Sequence, residues 1–395
     1  MSVARIVFPP LSHVGWGALT QLVPEVKRLG AKHVLVITDP ALEKLGLVEQ
    51  VASPLRQAGC SVHVYTDVVP EPPLETGEKA VAFARDGKFD LVIGVGGGSA
   101  LDLAKLAAVL AVHDGSVADY LNLTGTRTLE KKGLPKILIP TTSGTGSEVT
   151  NISVLSLETT KDVVTHDYLL ADVAIVDPQL TVSVPPRVTA ATGIDALTHA
   201  VEAYVSVNAS PTSDGLAVAA IRLISRSLRK AVANGSDKQA RIDMANGSYL
   251  AGLAFFNAGV AGVHALAYPL GGQFHIAHGE SNAVLLPYVM GYIRQSCTKR
   301  MADIFNALGG NSSFLSEVEA SYRCVEELER FVADVGIPKT LGGFGIPESA
   351  LESLTKDAVQ QKRLLARSPL PLLEADIRAI YEAAFAGTIV EPHKA

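Results

Sequence analysis

Three titratable side chains share one face of an otherwise apolar stretch, GIDALTHAVEAY at residues 193–204. Asp195, His199 and Glu202 stand at i, i+4 and i+7 of a helical repeat, which stacks them along one side. The stretch contains no Lys or Arg, although a solvent-facing helix surface usually mixes both signs of charge. An acid and an imidazole one turn apart are therefore either an ordinary polar edge or two ligands of a metal ion.

A second group of histidines follows in GVHALAYPLGGQFHIAHGESNAVLLPYVM, residues 262–290. One carboxylate and three imidazoles suffice to bind a divalent transition metal and leave positions for water or substrate. The spacing alone argues well only for Asp195 and His199, and among His264, His275 and His278 the last two compete for one place. The H-E-x-x-H pattern and neighbouring cysteine pairs are absent from the sequence, which disfavours a zinc protease or a structural zinc site.

A glycine-rich junction lies between an apolar strand and a helix in FDLVIGVGGGSALDLAK, residues 89–105. Unpaired N–H groups and the positive end of a helix suit a pyrophosphate, and Gly96, Gly97 and Gly98 remove the Cβ atoms that would obstruct it. The strict G-x-G-x-x-G fingerprint is not met, because Ser99 occupies its last position. Three consecutive glycines exceed what a tight turn needs, which favours phosphate binding.

Two further strand ends carry polar groups that a nucleotide could use. The loop TTSGTGSE, residues 141–148, offers hydroxyls and glycines, and Asp39 ends the strand KHVLVITD. Ligands of open α/β sheets lie at the carboxyl ends of the strands, so the two loops could line one binding site. Asp39 either accepts hydrogen bonds from a ribose or caps the helix that Pro40 begins.

The secondary structure predicted to position these residues changes near residue 184, from alternating strands and helices to helices alone. Residues 1–184 alternate apolar strands with helical segments, which predicts an α/β domain whose parallel sheet has helices on both faces. Residues 185–395 consist mainly of Ala/Leu/Ile segments with a 3.6-residue repeat, which predicts an all-α domain.

Composition limits the class of protein. The 395 residues are 48% hydrophobic and 19% charged, with a net charge of −6 and no basic stripe, so nucleic-acid binding is not expected. Neither an apolar run of about 18 residues nor a signal-peptide pattern is present, and the three cysteines are widely spaced. We therefore expect a cytoplasmic protein that does not bind membranes.

The motifs together resemble those of the iron-containing (group III) alcohol dehydrogenases over nearly the whole chain. The shared segments are GGGSALDLAK, PTTSGTGSE, AIVDP, GIDALTHAVEAY and HALAYPLGGQFHIAHG. The resemblance implies a dinucleotide-binding α/β domain and a helical metal domain with the active site in the cleft between them. It also implies the metal ligands Asp195, His199, His264 and His278, which makes His275 only a neighbour.

The resemblance assigns further residues to the nucleotide and the substrate. It places Gly96, Gly97, Gly98 and Ser99 at the pyrophosphate, with Asp102 just after them, and it places Phe255 in the wall of the substrate pocket. Other positions near the nucleotide are Thr141, Thr142, Ser147 and, near the nicotinamide, Lys161. Asp39 is matched to the residue at the adenosine ribose, which favours NAD(H) over NADP(H) because a carboxylate repels a 2′-phosphate.

Two features stay open at this stage. Many family members carry a histidine where this chain has Tyr268, so a proton could leave through Tyr268, through His275, or through water and ribose hydroxyls. The ligand set suits Fe(II) or Zn(II), and the family name favours Fe(II).

The predicted reaction is reversible NAD(H)-linked conversion of a small to medium, neutral primary alcohol or diol to its aldehyde. The alternative is a keto-acid reaction like that of maleylacetate reductase or hydroxyacid-oxoacid transhydrogenase. Segments 193–204 and 255–282 contain no Arg or Lys to bind a carboxylate, which favours the neutral alcohol. A metal- and nucleotide-binding protein without turnover is disfavoured by the complete ligand set, and the resemblance implies a homodimer or larger homo-oligomer.

Overall fold

The computed structural model describes residues 3–158 and 161–392. These residues form two compact units: one spans Phe8–Ser183, and the other begins at Val184 and also includes the segment that ends at Val7. Val7 joins the second unit through two hydrogen bonds, because its N–H donates to Asn257 Oδ1 and its carbonyl accepts from Asn257 Nδ2.

The first unit is built on strands that carry its nucleotide-type loops at their ends. Its strands are β1 Ser12–Val14, β2 His33–Ile37, β3 Ser61–Tyr65, β4 Leu91–Gly96, β5 Lys136–Pro140, β6 Ile152–Ser156, β7 Lys161–Thr165 and β8 Val173–Val176. Its helices are α1 Leu22–Arg28, α2 Pro40–Lys44, α3 Leu47–Gln57, α4 Leu74–Asp86 and α5 Gly98–Leu110. Strands β6 and β7 form an antiparallel pair. The sequence pattern did not indicate these two strands or β1.

Six strands form one parallel sheet in the order β1-β8-β5-β4-β2-β3. Side chains alternate between its faces: Val34 and Val36 belong to one buried cluster, whereas Leu35 and Ile37 belong to another. This confirms the predicted helices on both faces. The chain runs from β2 outward to β3 and then returns to β4, so the strand order reverses between β2 and β4. Such a reversal is where open α/β sheets bind ligands.

The described residues of the second unit form helices joined by loops and no strand, which confirms the all-α prediction. Its helices are α6 Pro186–Val205, α7 Pro211–Ala233, α8 Lys238–Ala258, α9 Gly262–Phe274, α10 His278–Ile293, α11 Thr298–Ala307, α12 Glu317–Asp334, α13 Leu351–Val359, α14 Lys362–Leu365 and α15 Glu374–Ala386. The helical repeat at residues 282–307 is divided between two helices, α10 and α11. The central helices α6, α9 and α10 are almost entirely buried, which leaves few solvent-facing positions on them.

Within the described part of the chain, no single helix has the length and apolar composition to cross a bilayer. Only α8 and α9 taken together satisfy those criteria, and they are bent by 105° relative to each other.

Candidate active site

Four side chains of the helical unit converge on one point. Asp195 and His199 come from α6, His264 from the first turn of α9, and His278 is the first residue of α10. One ligand atom from each lies within 4.8 Å of the other three. Asp195 Oδ1 is 3.9 Å from Nε2 of His199 and 3.8 Å from Nε2 of both His264 and His278.

The chemistry of this donor set fits a divalent metal ion. A carboxylate and three imidazoles are hard-to-borderline ligands that suit Fe(II) and Zn(II), and Cys is absent from the set. Three of the four residues are buried and His278 is half-buried, so the cluster has one wetter side. Burial raises the pKa of the Asp195 carboxyl, but electrostatic interactions with His199, His278 and His264 and a hydrogen bond from Asn282 bring that pKa below its ordinary value. The carboxylate is therefore ionised and available to a cation.

Glu202, the third member of the opening stripe, orients His264. Its Oε2 accepts a 2.6 Å hydrogen bond from His264 Nδ1, and its Oε1 accepts one of 2.6 Å from the N–H of Val263. The proton on Nδ1 leaves the Nε2 lone pair of His264 facing the cluster, as in other carboxylate–histidine–metal arrangements. The sequence marked Glu202 only by its i+7 spacing from Asp195 and gave it no role.

Asn282 was missed altogether by the sequence analysis. Its side chain is fully buried in α10, one turn after His278, and its amide nitrogen donates to Asp195 Oδ1 at 2.7 Å. An asparagine within an apolar helix gives no distinctive signal in sequence; only its i+4 spacing from a histidine could have pointed to it.

The residue predicted for the substrate pocket, Phe255, and the two predicted for proton transfer, Tyr268 and His275, take different places. Phe255 stacks on His199, with ring centroids 4.3 Å apart and an angle of 20° between the rings. Tyr268 is buried one turn after His264, and its ring centroid is 6.1 Å from that of His278. His275 ends α9 with a left-handed backbone, is exposed and does not belong to the four-residue cluster.

In the α/β unit, the glycine loop ends β4 and begins α5. Gly96 has a φ of +152°, and a Cβ at this position would lie 2.7 Å from the Cβ of Ala100. A Cβ at Gly98 would lie 2.8 Å from Cγ2 of Thr145, which shows how closely the loop after β5 approaches the glycines. Gly97 is the N-cap of α5, so the unpaired N–H groups of a helix start lie at this strand end.

The loop after β5 contributes hydroxyls beside these glycines. Thr141 donates its N–H to the carbonyl of Gly96 at 3.0 Å. Thr142 is half-buried, and its Oγ1 lies 3.7 Å from the point where a Cβ of Gly97 would be. Thr145, which the sequence analysis did not select, packs against Gly98 and is half-buried. Two predicted residues and one missed residue thus share this strand end with the glycines.

Asp39 caps a helix, which is one of its two sequence interpretations. Its Oδ1 accepts from the N–H groups of Ala41 and Leu42 at 2.9 and 3.0 Å and so caps α2. Its Oδ2 lies 3.7 Å from where a Cβ of Gly96 would be. One oxygen is used by the helix, and the other is directed toward the glycine loop.

Asp102 and Ser147 contact each other in a buried network behind the loop. Ser147 Oγ donates to Asp102 Oδ1 at 2.5 Å, and Lys105 Nζ lies 2.9 Å from the same carboxylate oxygen. Lys105 also donates to the carbonyl of Ser147 at 3.1 Å. Burial lowers the pKa of Lys105, although the negative charge of Asp102 acts in the opposite direction. Burial also raises the pKa of the neighbouring Glu148 to about 7. These two predicted nucleotide residues therefore anchor the loop through their side chains.

Ser99 and Lys161 complete the predicted set. Ser99 lies in the first turn of α5, directly after Gly98. Lys161 is the first residue of β7, is buried, and forms an ion pair with Glu71.

Comparison with known proteins gives consistent matches over both units. The family model for iron-containing alcohol dehydrogenase matches residues 9–178, and the model for the C-terminal domain of the Fe-containing alcohol dehydrogenase family matches residues 189–385. The chain is 98% identical over 395 residues, all of both chains, to long-chain-alcohol dehydrogenase 1 of Geobacillus thermodenitrificans (strain NG80-2).

More distant relatives agree with these matches. The NAD-dependent methanol dehydrogenase of Bacillus methanolicus is 39% identical over 360 residues, which cover 91% of this chain and 94% of the relative. A crystal structure of 1,3-propanediol oxidoreductase superimposes with a TM-score of 0.93 at 38% identity, covering 97% of this chain and 100% of the other.

Proposed function

The chain belongs to the iron-containing alcohol dehydrogenase family, and on that premise we propose that it interconverts long-chain primary alcohols and their aldehydes with NAD(H). It is an alcohol dehydrogenase, which confirms the activity predicted from the sequence. The observation that carries the proposal is the convergence of Asp195, His199, His264 and His278 in a chain of this family. The sequence alone predicted a small to medium alcohol. The longer alkyl chain is proposed instead from the relative that is 98% identical, which is named for long-chain alcohols.

The residues of the cluster would hold the metal ion, and the residues around it would hold the cluster in place. A divalent metal supplies Lewis-acid stabilisation of negative charge on the alcohol oxygen, which lowers the pKa of the hydroxyl. The nicotinamide supplies the hydride acceptor. Glu202 keeps His264 in the tautomer that leaves Nε2 free, and Phe255 provides an apolar wall on the face of His199.

We propose Fe(II) as the metal, with Zn(II) as the alternative. Imidazole and carboxylate ligands bind both ions, and the Irving–Williams order favours zinc where both are available. The family to which the chain belongs supports iron.

The cofactor proposal depends on Asp39. Its Oδ2 is a negative charge next to Gly96 at the carboxyl end of β2, where an acidic residue accepts hydrogen bonds from a ribose. A 2′-phosphate at the same place would face that charge, which supports NAD(H) over NADP(H). The methanol dehydrogenase of Bacillus methanolicus, which is NAD-dependent, agrees with this choice.

A keto acid remains the second candidate because one cation approaches segment 255–282 from elsewhere in the chain. The side chain of Arg367 lies against Gly259, where a Cβ would be 2.4 Å from Arg367 Cδ. Burial lowers the pKa of this guanidinium, with the negative charge of Glu202 acting in the opposite direction. Because segments 193–204 and 255–282 themselves contain no Arg or Lys, we favour the neutral alcohol.

The test is NADH oxidation by Fe(II)-loaded protein with aldehydes from acetaldehyde to dodecanal and with a short keto acid. We expect kcat/KM to rise with chain length and the keto acid to be turned over poorly. Preferential turnover of the keto acid would replace the proposed substrate class. Light scattering on the same preparation tests the homodimer or larger homo-oligomer that the resemblance implies.

A further inference from the structure

The amide of Asn282 lies among the four proposed metal ligands rather than behind them. Its Nδ2 is 2.7 Å from Asp195 Oδ1, 3.1 Å from His264 Nε2 and 3.2 Å from His278 Nε2. All three of these atoms are the ligand atoms of the cluster, and the Asn282 side chain is fully buried. A neutral amide thus contacts three of the four ligands at once.

These three atoms need a hydrogen-bond donor when they converge. Asp195 Oδ1 carries negative charge, and His264 Nε2 presents a lone pair because its Nδ1 proton is bonded to Glu202. Acceptors that face one another at less than 4 Å repel unless a donor or a cation lies between them. The two hydrogens of the Asn282 amide are the donor that the structure provides there.

The orientation of this amide is fixed by its surroundings. Turning it over would place Asn282 Oδ1 against the carboxylate of Asp195, which replaces an attraction with a repulsion. In the observed orientation Oδ1 is buried without a hydrogen-bond partner among the described residues. A buried carbonyl without a partner is unfavourable, so the contacts of the NH₂ group determine the orientation of the amide.

We propose that Asn282 is a positioning residue that preorganises the metal site. Its amide holds the Asp195 carboxylate and keeps the Nε2 atoms of His264 and His278 directed inward until an ion enters. The ion would then take the imidazole lone pairs from the amide, whereas Asp195 Oδ1 has further lone pairs and can keep its hydrogen bond to Asn282. This inference rests on the proposed metal site and adds a residue to it that is not itself one of the four ligands.

The alternative is that Asn282 only fills space between α6, α9 and α10. Replacement by leucine separates the two roles, because leucine has nearly the same volume and no N–H donor. If donation matters, Asn282→Leu and Asn282→Ala both fail to hold the ligands. If only packing matters, Asn282→Leu behaves like the wild type and Asn282→Ala does not.

The experiment measures Co(II) affinity by competition with a chelator, together with the visible absorption spectrum of the Co(II)-loaded protein. We expect both Asn282 variants to bind Co(II) roughly 10- to 100-fold more weakly and to show shifted absorption bands, as is usual when a group that orients metal ligands is lost. The matched control is Ser281→Ala, since Ser281 is also fully buried in α10 but donates to the carbonyl of Ile276. Its Co(II) affinity should stay within about twofold of the wild type, well below that expected loss.

Wild-type affinity and an unshifted spectrum in Asn282→Leu would overturn the inference while leaving the metal site intact. If the wild type itself bound no Co(II), the proposed metal site would fail first, and the inference with it. Should Asn282→Leu not fold, Asn282→Thr and Asn282→Val decide the matter, because the two side chains have the same shape and only Thr keeps a hydrogen-bond donor. Weaker Co(II) binding by the Val variant than by the Thr variant would support the inference, and equal binding would overturn it.

Discussion

The metal cluster and the glycine loop are built from different parts of the chain. The cluster consists of side-chain atoms that buried helices bring within 4.8 Å of one another. The glycine loop instead presents backbone N–H groups at the start of α5. Its glycines leave space there because a Cβ at Gly96 or Gly98 would collide with a neighbouring side chain. Replacing one ligand side chain should therefore abolish the metal cluster. The glycine loop should instead be sensitive to larger side chains in place of its glycines and to changes in the residues that pack behind it.

The supports differ as well. At the cluster, Glu202 and Asn282 make short hydrogen bonds directly to ligand residues. Behind the loop, a buried group of charges formed by Asp102, Lys105 and Glu148 holds the chain in place without reaching the glycines. We thus expect substitutions near the cluster to change metal binding and turnover, and substitutions behind the loop to change stability.

The largest effect is expected from His264→Ala. Loss of a metal ligand should lower kcat/KM at least about a thousandfold, since Lewis-acid stabilisation is worth several kcal/mol. NAD⁺ binding, measured by fluorescence titration, should persist, because the glycine loop belongs to the other unit. The exposed His33→Ala is the control. A His264→Ala protein that kept most of its kcat would refute the ligand assignment.

Glu202→Gln should be the next most harmful change. A glutamine amide facing His264 Nδ1 donates where the carboxylate accepted, so the imidazole proton would move to Nε2 and face the metal position. We expect metal affinity to fall roughly 10- to 100-fold, as read by chelator competition. Equal affinity of the variant and the wild type would show that Glu202 does not set the tautomer.

Glu148→Gln tests the charged support behind the loop. Burial raises the pKa of Glu148 from 4.5 to about 7, so the folded protein binds more protons than the unfolded chain between these values. The free energy of unfolding of the wild type should therefore fall by at most about 3 kcal/mol as pH rises through this window. The variant lacks the ionisable group and should not show this decrease.

Urea unfolding at about pH 5 and about pH 8 measures this difference. The variant should gain stability over the wild type only at the higher pH. Glu130→Gln, an exposed change in the same unit, should show no such pH dependence. A gain for Glu148→Gln that is the same at both pH values would contradict the ionisation argument.

The smallest effect is expected at Asp39. Asp39→Asn keeps the helix cap but removes the charge, so the kcat/KM ratio of NADPH to NADH should rise about 5- to 10-fold. Asp39→Gly should shift the ratio similarly and also lose the cap. Steady-state kinetics with both cofactors give the ratio, and an unchanged value would remove Asp39 from the ribose.

Much of this arrangement could be predicted from sequence because it follows simple periodicities. Apolar strands alternating with helices gave the parallel sheet, and the i+4 spacing of Asp195 and His199 placed two ligands together. Spacing could not choose between His275 and His278, since that choice depends on where α9 ends and α10 begins. The resemblance chose His278, and the structure brings it to the cluster.

The supporting residues were harder to predict because their partners are distant in sequence. Asn282 reaches Asp195 across 87 positions, and Ser147 reaches Asp102 across 45. Periodicity describes which face of a helix is buried but not which polar atom meets which. Hydrogen bonds between separate elements therefore had to be read from the structure.

The central claim is that Asp195, His199, His264 and His278 hold the metal on which turnover depends. The most direct measurement is metal content and NAD⁺-linked alcohol oxidation on one preparation, before chelation, after chelation and after reloading with Fe(II). We predict about one iron or zinc ion per chain, activity lost with the ion and regained with it. Undiminished turnover by the metal-free protein would contradict the account.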